Sequence, residues 1–224
     1  MAYLPNLIFL ILLAAGVGFF ARNLKRIIRN IKLGKEVNRS NQPKLRFKNM
    51  LRVAFGQSKM VSRPISGLLH LVVYIGFVLI NIELLEIILD GLTGSHRIVA
   101  PFLGSFYSFL MASFEVLAFL VLIAVFIFWT RRNVIKIQRF WKPEMKGWPK
   151  NDADIILYFE VVLMVLFLSM NATDSLLQQA EIDPYIKAGS FPISQYLLPL
   201  FANFSVESLV LLERSFWWAH IVGI

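Results

Sequence analysis

The chain has 224 residues, of which 57% are hydrophobic and only 17% are charged. Soluble domains are about 45–50% apolar and about 25% charged, so a water-soluble globule of this composition would lack the polar surface that it needs. The composition therefore predicts a protein that crosses the membrane several times. The sequence contains no cysteine, which excludes a disulfide, a thiolate nucleophile and a cysteine-ligated iron–sulfur cluster within these residues.

Positive charge is concentrated in two segments of the chain. Residues 22–63 carry 13 of the 23 basic residues and one acid, Glu36, and residues 131–150 carry seven more basic residues. Short loops rich in Lys and Arg face the cytoplasm, so both segments are predicted to be cytoplasmic and the N-terminus to lie outside. The net charge of +9 is therefore interpreted as a signal for membrane orientation and not for nucleic-acid binding.

Five apolar stretches are predicted to be membrane-spanning helices, because about 20 apolar residues cross the hydrocarbon core of a bilayer. The predicted spans are 3–21, 65–89, 104–129, 154–173 and an incomplete one at 213–224. Loops 22–63 and 131–152 join them on the cytoplasmic side. The predicted fold is an all-α, polytopic bundle, one membrane domain over 1–224 with four complete helices and a truncated fifth. Since about ten apolar residues cannot span, we expect the natural chain to continue beyond residue 224.

Two segments of the first cytoplasmic loop, 23–33 and 44–55, have helical periodicity and are separated by a polar turn at 38–43. In the first segment, apolar residues recur at helical spacing with Lys and Arg between them. Such a segment can lie along the membrane surface, or its basic face can dock a soluble partner, and the two interpretations are compatible. Asn151 or Asp152 is predicted to cap the helix of the fourth span.

Two of the three histidines, His70 and His220, lie inside or at the edge of apolar spans. An imidazole in lipid needs a partner, and polar residues within the membrane are candidates for function. Each of these histidines can hydrogen-bond to a neighbouring helix, or can be an axial ligand of haem iron between facing helices. His96 lies in a short loop and is interpreted as a surface residue.

The depth of the two histidines depends on where their helices begin. At 1.5 Å per residue, His70 lies about 9 Å beyond Pro64. A fifth helix that begins near Ser205 would place His220 about 22 Å from the outer edge, level with His70. A start near Glu213 would place His220 only about 10 Å deep, and it is predicted because it keeps charged and tryptophan side chains at the interface. In that case His70 would pair with a histidine beyond residue 224, and His220 would ligate a different group or none.

Acidic residues within the spans are a second set of candidates. Glu115 lies in the middle of the third span and Glu160 near the start of the fourth, and neither has a basic partner within one turn of its own helix. An unpaired carboxylate in lipid is costly, so each is predicted to be protonated, paired across helices or in contact with water. Proton handling beside a quinone and a structural hydrogen bond both stay open. Glu83 and Glu86, close to the outer edge, are interpreted as solvated.

Three segments of the sequence resemble a known family of membrane subunits. They are PISGLLH at 64–70, MKGWPKNDAD at 145–154 and ERSFWWAH at 213–220. They resemble the haem b membrane subunits related to the nitrate reductase gamma chain and the heterodisulfide reductase membrane subunit. The likeness covers nearly all of the chain. It is greatest to versions in which the haem part is followed by a cytoplasmic iron–sulfur part of heterodisulfide reductase type.

This resemblance implies a five-helix bundle, in the cytoplasmic membrane of a bacterium, with b-type haem between the second and fifth helices. Electrons would pass between a membrane quinone and iron–sulfur clusters on the cytoplasmic side. His70 and His220 match ligand positions of the family. A further ligand position of the second helix falls where Ile80 and Asn81 stand, so the chain would hold one haem rather than two, or an incomplete site.

The iron–sulfur clusters would then belong to a continuation of the chain or to another subunit, which makes a cytoplasmic iron–sulfur protein or domain the expected partner. The chain would be the membrane part of a quinone-linked oxidoreductase. The alternative is a haem-free membrane anchor or scaffold that docks a cytoplasmic redox or assembly module.

Overall fold

The computed structural model describes residues 3–38, 40–60 and 62–224, and every regular element within them is helical. The prediction of an all-α fold is confirmed for this part of the chain. Positions 39 and 61, both in the predicted first cytoplasmic loop, lie outside the described residues. In chain order the α-helices are α1 (Leu4–Lys32), α2 (Pro43–Met50), α3 (Pro64–Thr93), α4 (Ala100–Leu103), α5 (Ser105–Trp129), α6 (Trp148–Gln179), α7 (Leu198–Phe201) and α8 (Val206–Gly223).

Four of these helices are long and apolar enough to cross a membrane: α1, α3, α6, and α5 together with the turn that continues it to Val134. The finding is consistent with a multi-pass membrane protein. α3 shows how the sequence sets the ends of such a helix. Pro64 suits the first turn, because its missing N–H has no partner to lose there. Gly94 ends α3 in the left-handed conformation, with φ of 77°.

Two helices extend well beyond the predicted spans. α1 continues without a break to Lys32, so residues 23–32 of the predicted surface segment are about the last third of one 29-residue helix. α6 begins at Trp148, and Gly147 occupies the position before its first residue. Asn151 and Asp152 therefore lie inside the first turns of α6. The prediction that one of them caps this helix is wrong, because Pro149 already favours a helical start earlier in the chain.

α8 begins at Val206, seven residues before the predicted start at Glu213. The hydroxyl of Ser205 caps it by accepting a hydrogen bond from the backbone N–H of Ser208 at 3.3 Å. Glu213 is buried, with 2% of its surface exposed, and the Tyr185 hydroxyl donates to it at 2.9 Å. Since Glu213 is satisfied inside the protein, it does not have to mark an interface. The observed helix follows the alternative start near Ser205.

The chain divides into two compact units, and the first comprises residues 1–68 and 87–95. In it, α1 packs against the last turns of α3. Phe9 is 2% exposed, and its ring packs directly against Gly91. A Cβ atom added at Gly91 would lie only 2.7 Å from the nearest ring atoms. Asn6 Nδ2 donates a hydrogen bond to the carbonyl oxygen of Gly91 at 3.0 Å. Any side chain at position 91 would therefore force the Phe9 ring to move.

The second unit comprises residues 69–86 and 96–224, and in it α6 packs against both α5 and α8. Its apolar core includes buried side chains of α5 and α6, namely Met111, Phe114, Ala118, Val121, Phe167 and Leu168. At one end, the buried Asp154 of α6 pairs with Arg132 at 2.9 Å and Lys150 at 3.0 Å. At the other end, where α5 begins and α6 ends, many more polar side chains are buried. That second group forms the site described next.

Candidate functional site

Arg97 lies at the centre of a group of buried polar side chains. Its Nε and Nη2 atoms donate to Asp174 Oδ2 at 2.8 and 2.6 Å. Nη2 also donates to Asn171 Oδ1 at 3.1 Å, and Nη1 donates to the Tyr107 hydroxyl at 3.0 Å. One guanidinium thus joins the loop after α3 to α5 and α6. We call the following residues the Arg97 cluster: Glu83, Glu86, His96, Arg97, Tyr107, Glu115, Asn171 and Asp174.

The backbone of Arg97 is held in an unfavourable conformation. Its φ is 52°, in the left-handed region that residues other than glycine rarely adopt. Strain of this kind persists only where the surrounding contacts fix it, and the bonds to Asp174, Asn171 and Tyr107 supply them. Burial alone would lower the pKa of Arg97, but the neighbouring Asp174 carboxylate raises it well above the ordinary value. The guanidinium is therefore a permanent positive charge inside the protein.

Glu86 is bonded to two other parts of the unit. Its Oε1 accepts the backbone N–H of Val99 at 3.0 Å, and its Oε2 accepts the Tyr107 hydroxyl at 2.7 Å. Glu86 is 7% exposed and Glu83 is 4% exposed. The interpretation of these two acids as solvated is therefore wrong. The loop that carries Arg97 folds back over them and replaces water as their surroundings.

Glu115 is fully buried and is bonded on both oxygens. Oε1 accepts Asn171 Nδ2 at 3.1 Å and also the Ser194 hydroxyl. Oε2 accepts the backbone N–H groups of Ile193 and Ser194 at 2.8 and 3.1 Å. Of the three predicted states, pairing across helices is the one observed. Glu115 ties α5 to α6 and to the turn before α7, which is the structural role that the sequence left open.

His96 contacts the other side of Asp174. Its Nε2 lies 3.0 Å from Asp174 Oδ1, and its side chain is 9% exposed. The interpretation of His96 as a surface residue is therefore wrong, because the buried carboxylate of Asp174 holds the ring against the protein. The ring also packs edge-on against Tyr185, with centroids 4.9 Å apart. A cavity of about 210 Å³ adjoins it, lined by His96, Asp183, Pro184, Tyr185, Val210 and Arg214.

Tyr185 and Arg214, which line this cavity, both bond to the buried carboxylate of Glu213. The Tyr185 hydroxyl donates to Glu213 Oε2 at 2.9 Å, and Arg214 Nη2 donates to Glu213 Oε1 at 2.5 Å. Burial raises the pKa of Tyr185, and the negative charge of Glu213 raises it further. Tyr185 is therefore neutral, and Glu213 and Arg214 form an ion pair of their own beside the cavity.

His220 is buried on α8, with 4% of its surface exposed. Its Nδ1 lies 3.2 Å from the carbonyl oxygen of Leu163 on α6. A carbonyl oxygen can only accept a hydrogen bond, so Nδ1 carries the proton and the Nε2 atom of the neutral ring keeps its lone pair. This tautomer is the one in which a histidine binds metal through Nε2 while a second hydrogen bond fixes the ring.

His70, on α3, is exposed in the described chain, and one side of its ring packs on Phe128 with centroids 4.6 Å apart. Glu160 lies on α6 and is partly exposed. Among the described residues, no group of three or more His, Cys, Asp or Glu side chains is arranged to hold a metal ion. Axial haem ligation needs only one or two imidazoles, and the neutral, anchored ring of His220 suits it.

The residue pattern does not identify Arg97 or Asp174 as site residues, although it marks Glu115 and His220. Arg97 and Asp174 are 77 residues apart in the sequence. One signal was available: Glu83, Glu86 and Asp174 all fall near the same predicted end of the bundle, and Arg97 is the basic residue in the short loop there. Because buried acids need a partner, that single cation was the natural candidate.

Comparisons with known proteins show two distant relatives, both oxidoreductases. The chain is 26% identical over 216 residues to the "Probable iron-sulfur-binding oxidoreductase FadF" of Bacillus subtilis (strain 168), and the match covers 96% of this chain and 28% of the relative. It is 25% identical over 193 residues to the "EtfAB:quinone oxidoreductase" of Syntrophomonas wolfei, covering 83% of this chain and 25% of the relative. The chain thus spans about a quarter of the length of these curated relatives. No family model and no solved structure matches it. The chain is therefore similar to about a quarter of two oxidoreductases, one named for iron–sulfur binding and one for a quinone.

Proposed function

We propose that this chain is the membrane part of an oxidoreductase that passes electrons between a quinone and iron–sulfur clusters on the cytoplasmic side. His70 and His220 would hold b-type haem for this purpose. Two observations support the general class: the similarity to two oxidoreductases, one named for a quinone, and four helices long enough to cross a membrane. The more specific proposal of haem rests on the chemistry of the histidines.

The arrangement of His220 carries the proposal. A buried histidine with a purely structural role can use either nitrogen, but here the Leu163 carbonyl oxygen takes the Nδ1 proton and leaves Nε2 as a lone pair. The Phe167 ring lies 6.1 Å away by centroids, and Trp217 beside it is 7% exposed. The His220 ring is thus largely shielded from solvent, and low solvent exposure is one of the means by which proteins adjust a redox potential.

The positions of the two histidines along their helices also agree with a shared ligand. His70 is six residues from the start of α3, about 9 Å along the helix. His220 is fourteen residues from the start of α8, about 21 Å along it. If α3 and α8 run in opposite directions across a hydrocarbon core of about 30 Å, both rings lie at a similar depth. The observed start of α8 at Val206 is what makes this agreement possible.

In this proposal each residue has a limited task. Haem, when bound, supplies a one-electron carrier within the membrane. His220 provides a ligand nitrogen that Leu163 orients, and the exposed ring of His70 provides a second. The basic loops 22–63 and 131–152 face the cytoplasm of a bacterial cell and attract an acidic iron–sulfur protein or domain. Proton handling by Glu115 and Glu160 beside the quinone stays a prediction. For Glu115, four hydrogen-bond donors favour the structural role.

A reduced-minus-oxidised visible spectrum of the protein purified from membranes tests the proposal. We expect the absorption bands of b-type haem in the wild type and their loss in His220→Ala. His220→Met keeps a ligand at the same place, so it should retain haem with shifted bands. Ser215→Ala, on an exposed position of the same helix, is the matched control and should leave the spectrum unchanged.

Two results would contradict the haem proposal. A wild-type protein without b-type bands would favour the alternative of a haem-free membrane anchor. Bands of equal strength in the wild type and in His220→Ala would place the ligand elsewhere. Thermal unfolding of each variant shows whether a lost spectrum reflects a lost ligand or a lost fold.

A further inference from the structure

Two acids of the Arg97 cluster, Glu83 and Asp174, have a buried oxygen atom without a hydrogen-bond partner in the described part of the chain. Asp174 Oδ1 still has His96 Nε2 as a close neighbour, 3.0 Å away, whereas no such contact is described for Glu83 Oε2. Glu83 is 4% exposed, and its Oε2 is buried and makes no hydrogen bond within the described part of the chain. The residue lies three positions before Glu86, so both side chains occupy one face of α3. It is ten residues from the end of α3 at Thr93, about 15 Å along the helix. A buried ionised carboxylate requires donors, so Glu83 does not fit the charged form.

The neighbouring Glu86, unlike Glu83, has a hydrogen-bond donor at each carboxylate oxygen. Arg97 Nη1 can only donate, so the Tyr107 oxygen accepts that bond at 3.0 Å. The Tyr107 hydroxyl proton then points to Glu86 Oε2 at 2.7 Å. The backbone N–H of Val99 donates to Glu86 Oε1. Both carboxylate oxygens of Glu86 therefore accept a hydrogen bond, the arrangement that suits a carboxylate.

The same reasoning applies to the two acids farther from Glu83. Every described partner of Glu115 is an N–H or O–H group that donates to it. Asp174 accepts two bonds from Arg97 and one from Gln178, and His96 lies against its other oxygen. Contacts with donors stabilise the negatively charged form of a carboxylate. Three acids with such contacts are thus buried together.

The positive charges that face them are fewer. Arg97 supplies one, and His96 supplies a second only when it is protonated. Glu213 and Arg214, which approach from α8, neutralise each other. The hydroxyls of the two buried tyrosines add no charge. Ionised Glu83 would therefore add a further negative charge to a buried group that already has more acids than cations, and it lies close enough to interact electrostatically with Arg97, Glu86, Glu115 and Asp174.

We propose that Glu83 carries a proton at neutral pH and is a buried proton-binding site of this membrane domain. The ligand is a proton rather than a metal ion, since no group of the described side chains is arranged to hold a metal. Interacting acids titrate as a group, so Glu83 gives up its proton more readily when its neighbours lose negative charge. The proposal uses neither His70 nor His220 and is independent of the proposed electron transfer.

Infrared spectroscopy of the purified protein tests this site, because a protonated carboxylic acid has a carbonyl stretching band that an ionised carboxylate lacks. We expect the wild type to show this band at mildly acidic and neutral pH. In Glu83→Gln the intensity of the band should fall by the contribution of one carboxylic acid. Glu86→Gln is the matched control, on the same helix face and equally buried. It should keep the band at mildly acidic pH but lose it at a lower pH than the wild type, because one negative neighbour of Glu83 is gone.

Several outcomes would overturn the proposal. The full band could persist in Glu83→Gln, or Glu86→Gln could lose it at mildly acidic pH, which would place the proton on Glu86. Wild-type protein containing ¹³C-labelled glutamate gives an answer without any variant. The band must shift with the label, and its absence at neutral pH would show that Glu83 is ionised and that a bound cation balances it.

Discussion

Replacing Arg97 by methionine removes the only permanent cation of the Arg97 cluster while keeping an unbranched, flexible side chain. The Asp174 carboxylate, 2% exposed, would keep only Gln178 and His96 as described partners. Its remaining negative charge could not be screened by water. Arg97→Met is therefore expected to destabilise the fold strongly, even though an apolar side chain is by itself suited to a buried position.

The size of the effect follows from burial. Breaking a buried ion pair by removing one partner costs about 3–5 kcal/mol, since the other charge stays desolvated. For a chain of this length, 1 kcal/mol corresponds to about 2–4 °C in Tm. The expected fall in the Tm of Arg97→Met is therefore roughly 10 °C. Adding Asp174→Asn to Arg97→Met should recover part of this loss, because the unpaired charge is then absent.

Lys187→Met is the matched control. Lys187 Nζ lies 2.6 Å from Glu181 Oε1, the same distance as Arg97 Nη2 from Asp174 Oδ2, but its side chain is 67% exposed. An exposed pair contributes little, so the Tm should not change measurably. Thermal unfolding in detergent, followed by circular dichroism, compares the two variants. Equal Tm shifts for Arg97→Met and Lys187→Met, or a double variant no more stable than Arg97→Met, would refute the reasoning.

Two other predictions can be tested with the same protein. Glu115→Gln places an NH₂ group where a carboxylate oxygen now accepts two hydrogen bonds. We therefore expect the free energy of unfolding, measured by thermal unfolding, to fall by about 1–3 kcal/mol. The exposed control Glu144→Gln should cost nothing measurable, and a stable Glu115→Gln would contradict the described contacts. These 224 residues contain no cysteine, so single cysteines introduced into them report the predicted orientation. A membrane-impermeant thiol reagent should label Gln195→Cys in intact cells and should label Ser40→Cys only after lysis. The opposite pattern would reverse the proposed topology.

The extent of the helices was predictable where the signal is local. A run of apolar residues long enough to cross a bilayer is a property of adjacent positions, and Pro64 and Gly94 mark the ends of α3 for equally local reasons. The start of α8 was not predictable in this way. Glu213 resembles an interfacial residue in the sequence, but Tyr185, 28 residues away, supplies a hydrogen bond that allows it to be buried.

The candidate site was likewise predictable only where the signal is local. The sequence identifies Glu115 and His220 as costly residues that need a partner, since desolvation of a polar group is a property of the residue and its apolar neighbours. It does not name the partners, because Asn171 and Leu163 lie 56 and 57 residues away. For His96 the local pattern was misleading: a polar loop residue is usually solvated, and only the buried Asp174 shows why this one is not.

The amino-acid sequence by itself determined that this protein is helical, that four segments suit a membrane, and which side chains would be expensive to bury. These properties follow from composition and from the spacing of nearby residues. Tertiary structure alone decided which acids surround Arg97 and which nitrogen of His220 holds its proton. It also decided that one oxygen of Glu83 is left without a hydrogen-bond donor. Those outcomes depend on contacts between residues far apart in the chain, and the sum of charges in a buried space exists only once the helices have packed.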